Sequence, residues 1–371
     1  MSEELGKARN LGDIYRTIFY DRQSSRQNIA DKLDLSLPTV ANNLKLLNKQ
    51  GLIYNAGTFK STGGRKATLL RCVPDARYAV GIDITRNHLS IVIINLDISI
   101  IGSHRIRRKF EDNDIYYQYM SEELENLLDQ YQITRDKLIG VGISLPVIVN
   151  ADHKTISYAT VITVAPEIYN RISQHLPYPF LLFNDANSAG QAESWAYHYD
   201  NTVVYLSLSN SVGGATVNGR DISTGDNCRA SEFGHICIVP NGRRCYCGRY
   251  GCLDAYCSAK ILSDFESGDL KAFFTELKTG KNLGYQQVFE DYLNHMVSAV
   301  NILRMCYDCD VILGGYVGAY LGDYLDIIRE KASRLNPFEH NSDYIRVCHY
   351  QTEASAVGAA IYYINEFVET I

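Results

Sequence analysis

No stretch of this 371-residue sequence is both long and apolar enough to cross a bilayer as a helix. The best candidate, Leu89 to Ile101, is broken by Asp97 and falls short of the ~18 uncharged residues a span needs. The opening MSEELGKARN has no apolar core behind a basic start, so no secretory signal is expected. The chain is therefore read as cytoplasmic, with no membrane partner. Low-complexity segments are missing too. Charged residues make up 21% against 46% hydrophobic ones, which excludes a globally disordered chain. The length suggests two or three domains at roughly 150 residues each.

An overall excess of positive charge is also absent: the net charge is −6. That would argue against a nucleic-acid partner if the charge were even, but it is not. Residues 1–75 carry six lysines and six arginines against seven acidic residues. The remainder carries 24 basic and 35 acidic residues. A basic head on an acidic body suggests a nucleic-acid-binding module joined to something else.

The head has the pattern of three short helices and a hairpin. Leu11, Ile14, Tyr15, Ile18 and Phe19 form one apolar helical face. A second helix starts after Ser24 or Ser25 and buries Ile29, Ala30 and Leu33. Ser36 caps a third, with Pro38 in its first turn, an inner face of Val40, Leu44 and Leu47, and Gly51 at its end. Its predicted solvent face is Thr39, Asn42, Asn43 and Lys45, where Asn suits adenine and Lys and Thr suit phosphates and groove edges. Two apolar runs, from Leu52 and from Thr68, flank a basic glycine-rich tip at Gly63, Gly64, Arg65 and Lys66. Three helices and a β-wing make a winged helix-turn-helix, whose partner is double-stranded DNA.

From Tyr78 the period changes. AVGIDI, LSIVIINL and ISIIGSHRI predict an antiparallel meander. A helix near residues 114–131, the strands LIGVGISL and LLFN, and a helix from Ala186 to Tyr197 follow. TVVYLSLSN and GGATVNG then open what reads as the same plan again. Two such α/β lobes would place a cleft between them, a common small-molecule site. The expected division is 1–75 for the head, 76–193 for the first lobe completed by a C-terminal helix at 354–371, and 194–353 for the second.

Five of the ten cysteines, Cys237, Cys245, Cys247, Cys252 and Cys257, fall in one short stretch. In a reducing compartment this reads as a metal site before disulfides. His235 with Cys245, Cys247 and Cys252 supplies one imidazole and three thiolates, a closed tetrahedral set that suits Zn²⁺. Such a set leaves no open position, so the expected zinc is structural, one per chain. Gly242, Gly248 and Gly251 permit the turns between the ligands. Cys237 and Cys257 are expected to be bystanders, and the Cys306/Cys309 pair part of the core.

Glu232-Phe233-Gly234-His235, followed by the CxCGxxGC spacing, resembles the signature of the ROK family of sugar-responsive repressors and sugar kinases. Thr62-Gly63-Gly64-Arg65 resembles the wing of its repressor branch. Asn184-Asp185-Ala186-Asn187 is similar to the family's cleft motif, Gly314-Gly315 to its late glycine pair, and Ala354 to Ala360 to its small-residue C-terminal helix. The resemblance implies a two-lobed actin-like ATPase (ribonuclease H-like) α/β body. It also implies that Asn184, Asp185, Glu232, His235 and Asp254 hold sugar hydroxyls, His235 doing so while one ring nitrogen binds zinc. An N-cap role for Asp185 and surface roles for Glu232 and Asp254 are the plainer alternatives. Two positions depart from the family pattern: Asp254 replaces a usual Glu, and Ser231 a frequent Gly.

The family's kinase loops are altered. The resemblance implies Asp-x-Gly-Gly-Thr, but here Asp83 is followed by Ile84-Thr85-Arg86-Asn87, without either glycine or the threonine. The second loop reads Ser209-Asn210-Ser211-Val212-Gly213. Phosphoryl transfer depends on positioning and charge stabilisation, so two rebuilt loops argue against an enzyme. The leading expectation is a DNA-binding repressor of carbohydrate-utilisation genes released by a monosaccharide or sugar derivative, acting as a homodimer or a tetramer of paired dimers. The alternatives are a ROK sugar kinase with an N-terminal extension, and a DNA-binding protein whose body takes no ligand.

Overall fold

The computed structural model describes residues 2–59 and 67–371, with side chains from residue 9 onward. The predicted wing-tip residues Gly63, Gly64, Arg65 and Lys66 lie outside the described residues, as does Thr62.

Helices α1 (Ser2–Tyr20), α2 (Arg26–Leu33) and α3 (Leu37–Lys49) open the chain. Local capping fixes their starts. Ser25 Oγ accepts the Asn28 N–H at 3.1 Å and Ser36 Oγ the Thr39 N–H at 3.3 Å. The antiparallel hairpin β1 (Ile53–Thr58) and β2 (Thr68–Cys72) follows, and Ser24 bridges Leu70 as a third short strand. This is a winged-helix arrangement.

The apolar face of α1 packs against head and body at once. Ile14 and Ile18 are fully buried and cluster with Ile29, Val40 and Leu47. Tyr15 meets the edge of Phe367 at 6.5 Å, and Phe19 meets Trp195 at 5.9 Å, both residues of the body. Head and body thus share one continuous apolar cluster.

In the body, β3 (Tyr78–Ile84), β4 (His88–Asn95) and β5 (Ile100–Arg107) form the predicted meander. After α4 (Asp114–Gln130) come β6 (Leu138–Leu145), the small hairpin β7 (Val147–Val149) and β8 (Ile156–Ala159), α5 (Ile168–Ser173), β9 (Phe180–Asn184) and α6 (Asp185–Tyr197). The sheet order is β5-β4-β3-β6-β9, with β3, β6 and β9 parallel.

The second sheet repeats this wiring. It begins with β10 (Thr202–Leu208), β11 (Val212–Asn218) and β12 (Asp221–Ile222). The helices α7 (Asp254–Cys257), α8 (Lys260–Ser263), α9 (Leu270–Thr279) and α10 (Leu283–Tyr307) intervene before β13 (Asp310–Gly314). After α11 (Gly315–Gly318) and α12 (Leu325–Ser333), β14 (Ile345–Val347) completes the order β12-β11-β10-β13-β14. The repeated plan read from strand periodicity is present in both lobes.

Helix α13 (Ala354–Thr370) returns to the first lobe and lies on β3, β4 and β6 and against α6. A Cβ on Gly81 would stand 1.7 Å from the Ala356 carbonyl oxygen, and one on Gly142 2.1 Å from that of Ala359. Only a small-residue helix on a glycine-bearing sheet packs this closely. The expected lobe boundary at 193/194 falls inside α6, which continues to Tyr197, so the chain crosses between lobes only after that residue. The fully buried Glu193 accepts the N–H groups of His349 and Tyr350 at 2.7 and 2.9 Å, tying α6 to the segment that leads into α13. Among the described residues no helix is long and apolar enough to cross a membrane.

Candidate functional site

The four predicted metal ligands come together. One ligand atom from each of His235, Cys245, Cys247 and Cys252 lies within 4.8 Å of all the others, the only such group found among the described residues. Sγ of Cys247 and Cys252 are 3.8 Å apart, and Cys245 Sγ is 3.9 Å from His235 Nδ1. Zinc–sulfur bonds of ~2.3 Å in a tetrahedron give edges of ~3.8 Å, so the donor set fits a tetrahedral ion of that size. Turn chemistry brings the ligands in. Gly248 and Gly251 have φ of +86° and +82°, and a Cβ on Gly251 would stand 1.9 Å from the Val239 carbonyl oxygen. Cys257 is buried and Cys237 exposed, both outside the group. Cys309 is in the core as expected, but Cys306 is exposed at the end of α10.

Beside this cluster, between the lobes, is a cavity of about 350 Å³. Asn184, Asp185, Glu232 and His235 line it together. With Nδ1 turned to the cysteines, His235 Nε2 lies 3.3 Å from the Tyr246 hydroxyl. Tyr246 sits between two of the metal-type cysteines and lines the cavity. It is a site residue that the sequence reading passed over, although its place inside the CxC turn was the signal.

Asn184, rather than Asp185, caps α6. Its Oδ1 accepts the Asn187 N–H at 2.9 Å, and its Nδ2 donates to the Val147 carbonyl at 3.0 Å. Each end of the amide keeps one further hydrogen-bonding position. Asp185 is thereby left to the cavity, with one oxygen accepting the Ala186 N–H at 2.8 Å. Burial raises its pKa to about 7, with further upward pushes from the Asp83 and Glu232 carboxylates. Ser231 has φ +65°, the left-handed region that favours glycine, which gives a physical reason for the Gly often found there in the family pattern. Its hydroxyl lies 2.8 Å from that of Thr216.

Asp254 does not line this cavity. Its Oδ1 accepts the Val212 N–H at 2.6 Å, and the residue faces an adjoining cavity of about 440 Å³ shared with Asp185 and Tyr246. The rebuilt loops border that second space. Thr85 closes the β3–β4 turn by accepting the His88 N–H at 3.0 Å, and Arg86 and Ser209 line the wall. Asp83, buried and accepting from the Ser144 hydroxyl at 2.7 Å, is pushed up to about 6 by burial.

The cap Ser36 and, on α3, Pro38, Asn42 and Lys45 are exposed, and Thr39 is half-buried. Asn43 is not on the solvent face. It is buried, and its Nδ2 donates to the Thr39 carbonyl at 2.9 Å. The face instead continues through Leu46, 52% exposed, to Lys49.

The carboxylate of Asp185 has a stability consequence. A carboxyl whose folded pKa exceeds its unfolded value binds more protons when folded, so its destabilising effect grows as pH rises from about 4 to about 7. Asp185→Asn is expected to raise the thermal midpoint by roughly 2–4 °C at pH 8 and by less at pH 5. Equal midpoints for wild type and variant at pH 8, in calorimetry, contradict this.

The chain is 24% identical over 324 residues to the xylose repressor of Bacillus subtilis, covering 86% of this chain and 79% of that one. A solved ROK family transcriptional regulator, described as a homologue of the Escherichia coli MLC protein, superposes with a TM-score of 0.73 at 19% identity over 98% of this chain and 97% of that one. A ROK family glucokinase from Streptomyces griseus, solved with glucose and AMPPNP, gives 0.65 at 21% identity over 77% of this chain and 98% of that one. The two lobes thus have the fold shared by these regulators and kinases, and the regulator's match extends over nearly the whole chain. The sequence pattern of the ROK family matches residues 79–366, and the chain belongs to that family.

Proposed function

We propose that the protein is a sugar-responsive transcriptional repressor, a homodimer whose winged helices bind a double-stranded DNA operator and release it when a sugar enters the interlobe cleft. The observation that carries this reading is how the head is seated. Tyr20 donates to the Glu369 carboxylate of α13 at 2.8 Å, Arg22 lies 2.9 Å from His198 at the end of α6, and the Arg220 guanidinium of the second lobe stacks on the Tyr20 ring. Both lobes therefore touch the head, and a ligand that changes the lobe angle moves it.

In this reading Asn42 and Lys45 meet the major groove, with Ser36, Pro38 and Thr39 at the helix entry beside the backbone, and Gly63, Gly64, Arg65 and Lys66 belong to the wing. Asp185, Glu232 and His235 supply fixed acceptors and donors to sugar hydroxyls, Asn184 adds its remaining positions, and Asp254 supports the turn through Val212. Zn²⁺ on His235, Cys245, Cys247 and Cys252 holds the loop carrying Glu232, a structural role for one ion per chain. Arg86, in place of a phosphate-loop glycine, and Asp185 without a bound nucleotide support a regulator and not an enzyme.

The test has two arms. Binding sites selected from random duplex DNA by the purified protein should be paired half-sites about one helical turn apart, roughly 34 Å. A coupled assay with ATP and a sugar panel should show no turnover above background. Sugar-dependent ADP formation that disappears in Asp185→Asn replaces the repressor by the kinase.

A further inference from the structure

Next to the cleft cavity is one nearly twice as large, about 670 Å³ against 350 Å³. The two are neighbours, with Asn184, Asn187 and Cys228 lining both. The larger space is bounded by all three parts of the chain: Tyr20 from the head, α13 and the β7–β8 hairpin from the first lobe, and Arg220 to Thr224 from the second.

Two chemical features set its character. The first is an aromatic wall, with Phe183 5.1 Å from Tyr362 and 4.7 Å from His153 between ring centroids. The second is a pair of unpartnered polar atoms among the residues that line it. Gln191 on α6 is only 5% exposed, and its Nε2 donor has no hydrogen-bond partner. Asn365 Oδ1 on α13 is a buried acceptor, also without one. Burying such groups unpaired is unfavourable; both atoms are covered in the unliganded form, and rotation of either amide toward the cavity would pair it with a ligand hydroxyl, which both donates and accepts. Aromatic faces beside amide donors and acceptors suit the C–H face and hydroxyl edge of a pyranose ring. Asp221, Glu366 and Glu369 at the same cavity disfavour a phosphorylated or acidic ring.

We infer that the two cavities form one groove with two subsites, and that the effector is an uncharged disaccharide or longer oligosaccharide. Its first ring lies at Asp185, Glu232 and His235, and its second passes Asn187 to reach Phe183, Tyr362 and Gln191. The inference rests on the reading of the first cavity as a sugar site. It also gives the ligand direct access to Tyr20 and Arg220, where head and second lobe meet.

The test is calorimetric titration of the full-length, metal-loaded protein with matched pairs: xylose and xylobiose, glucose with cellobiose and maltose, and N-acetylglucosamine with chitobiose. For at least one pair the disaccharide should bind once per chain and at least ~10-fold more tightly than its monosaccharide. Tyr362→Ala should remove that advantage while leaving monosaccharide affinity within about 2-fold of wild type. Gln191→Leu, which replaces an unpartnered buried amide by an apolar side chain of similar length, keeps the fold and should have the same selective effect. Disaccharides no tighter than their monosaccharides, two monosaccharides bound per chain, or parallel losses for both ligands in the variants overturn the two-subsite groove. No binding by any sugar overturns the first-cavity reading itself, a result distinct from monosaccharide binding alone.

Discussion

Cys247→Ser is expected to lower zinc content from about one ion per chain to near zero and to take effector binding with it. Cys247 Sγ sits 3.8 Å from Cys252 Sγ. Backbone bonds such as Gly251 N–H to the Arg243 carbonyl and Cys245 N–H to the Arg249 carbonyl, both 2.8 Å, shape the loop, and an ion would lock the four side chains that this backbone brings together. The same loop supplies Glu232, His235 and Tyr246 to the cavity. Metal binding in small zinc domains contributes ~10–16 kcal/mol of folding free energy. Here the second lobe has its own core around Phe273, Tyr292 and Val300, so the loss should be local. Elemental analysis, the thermal midpoint and sugar titration check it together. A variant that keeps its zinc, or loses it with unchanged sugar affinity, separates the metal from the site.

The second large effect belongs to α3. Asn42→Ala is expected to weaken specific operator binding by ~5- to 150-fold, the equivalent of ~1–3 kcal/mol, and to relax base choice at one position of each half-site. Lys45→Ala should weaken binding to all sequences alike and reduce the salt dependence by about one charge. Asn43→Ala is the contrast. Its amide is spent on the Thr39 carbonyl inside the head, so the change should lower the midpoint without altering base preference. Quantitative binding to the selected site and to single-base variants separates the three outcomes.

What was legible in the sequence was what is encoded locally. The serine caps, the strand periods of both lobes and the spacing of His235, Cys245, Cys247 and Cys252 each depend on a few neighbouring residues. What was hidden depends on partners far along the chain. Tyr15 and Phe19 look like ordinary members of an apolar helical face, and only the fold gives them Phe367 and Trp195. Asn43 is an exception, since its bond to the Thr39 carbonyl is local; a polar side chain on an amphipathic helix reads as a solvent residue until the packing around it is known. Asp254 was grouped with the cleft residues by motif, yet its carboxylate turns to the Val212 backbone. The aromatic cavity was invisible for the same reason, since its walls come from three separate parts of the chain.

The central claim is that a sugar in the cleft controls the hold of the head on DNA. Operator affinity, titrated with the best-binding sugar for wild type, Asp185→Ala and Glu232→Ala, tests it most directly. A ligand bridging both lobes should lower wild-type affinity by ~5- to 150-fold, a coupling of ~1–3 kcal/mol, and both substitutions should abolish the response while leaving sugar-free operator binding intact. An operator affinity unchanged by a sugar that demonstrably binds, or a response that persists in both variants, contradicts the account.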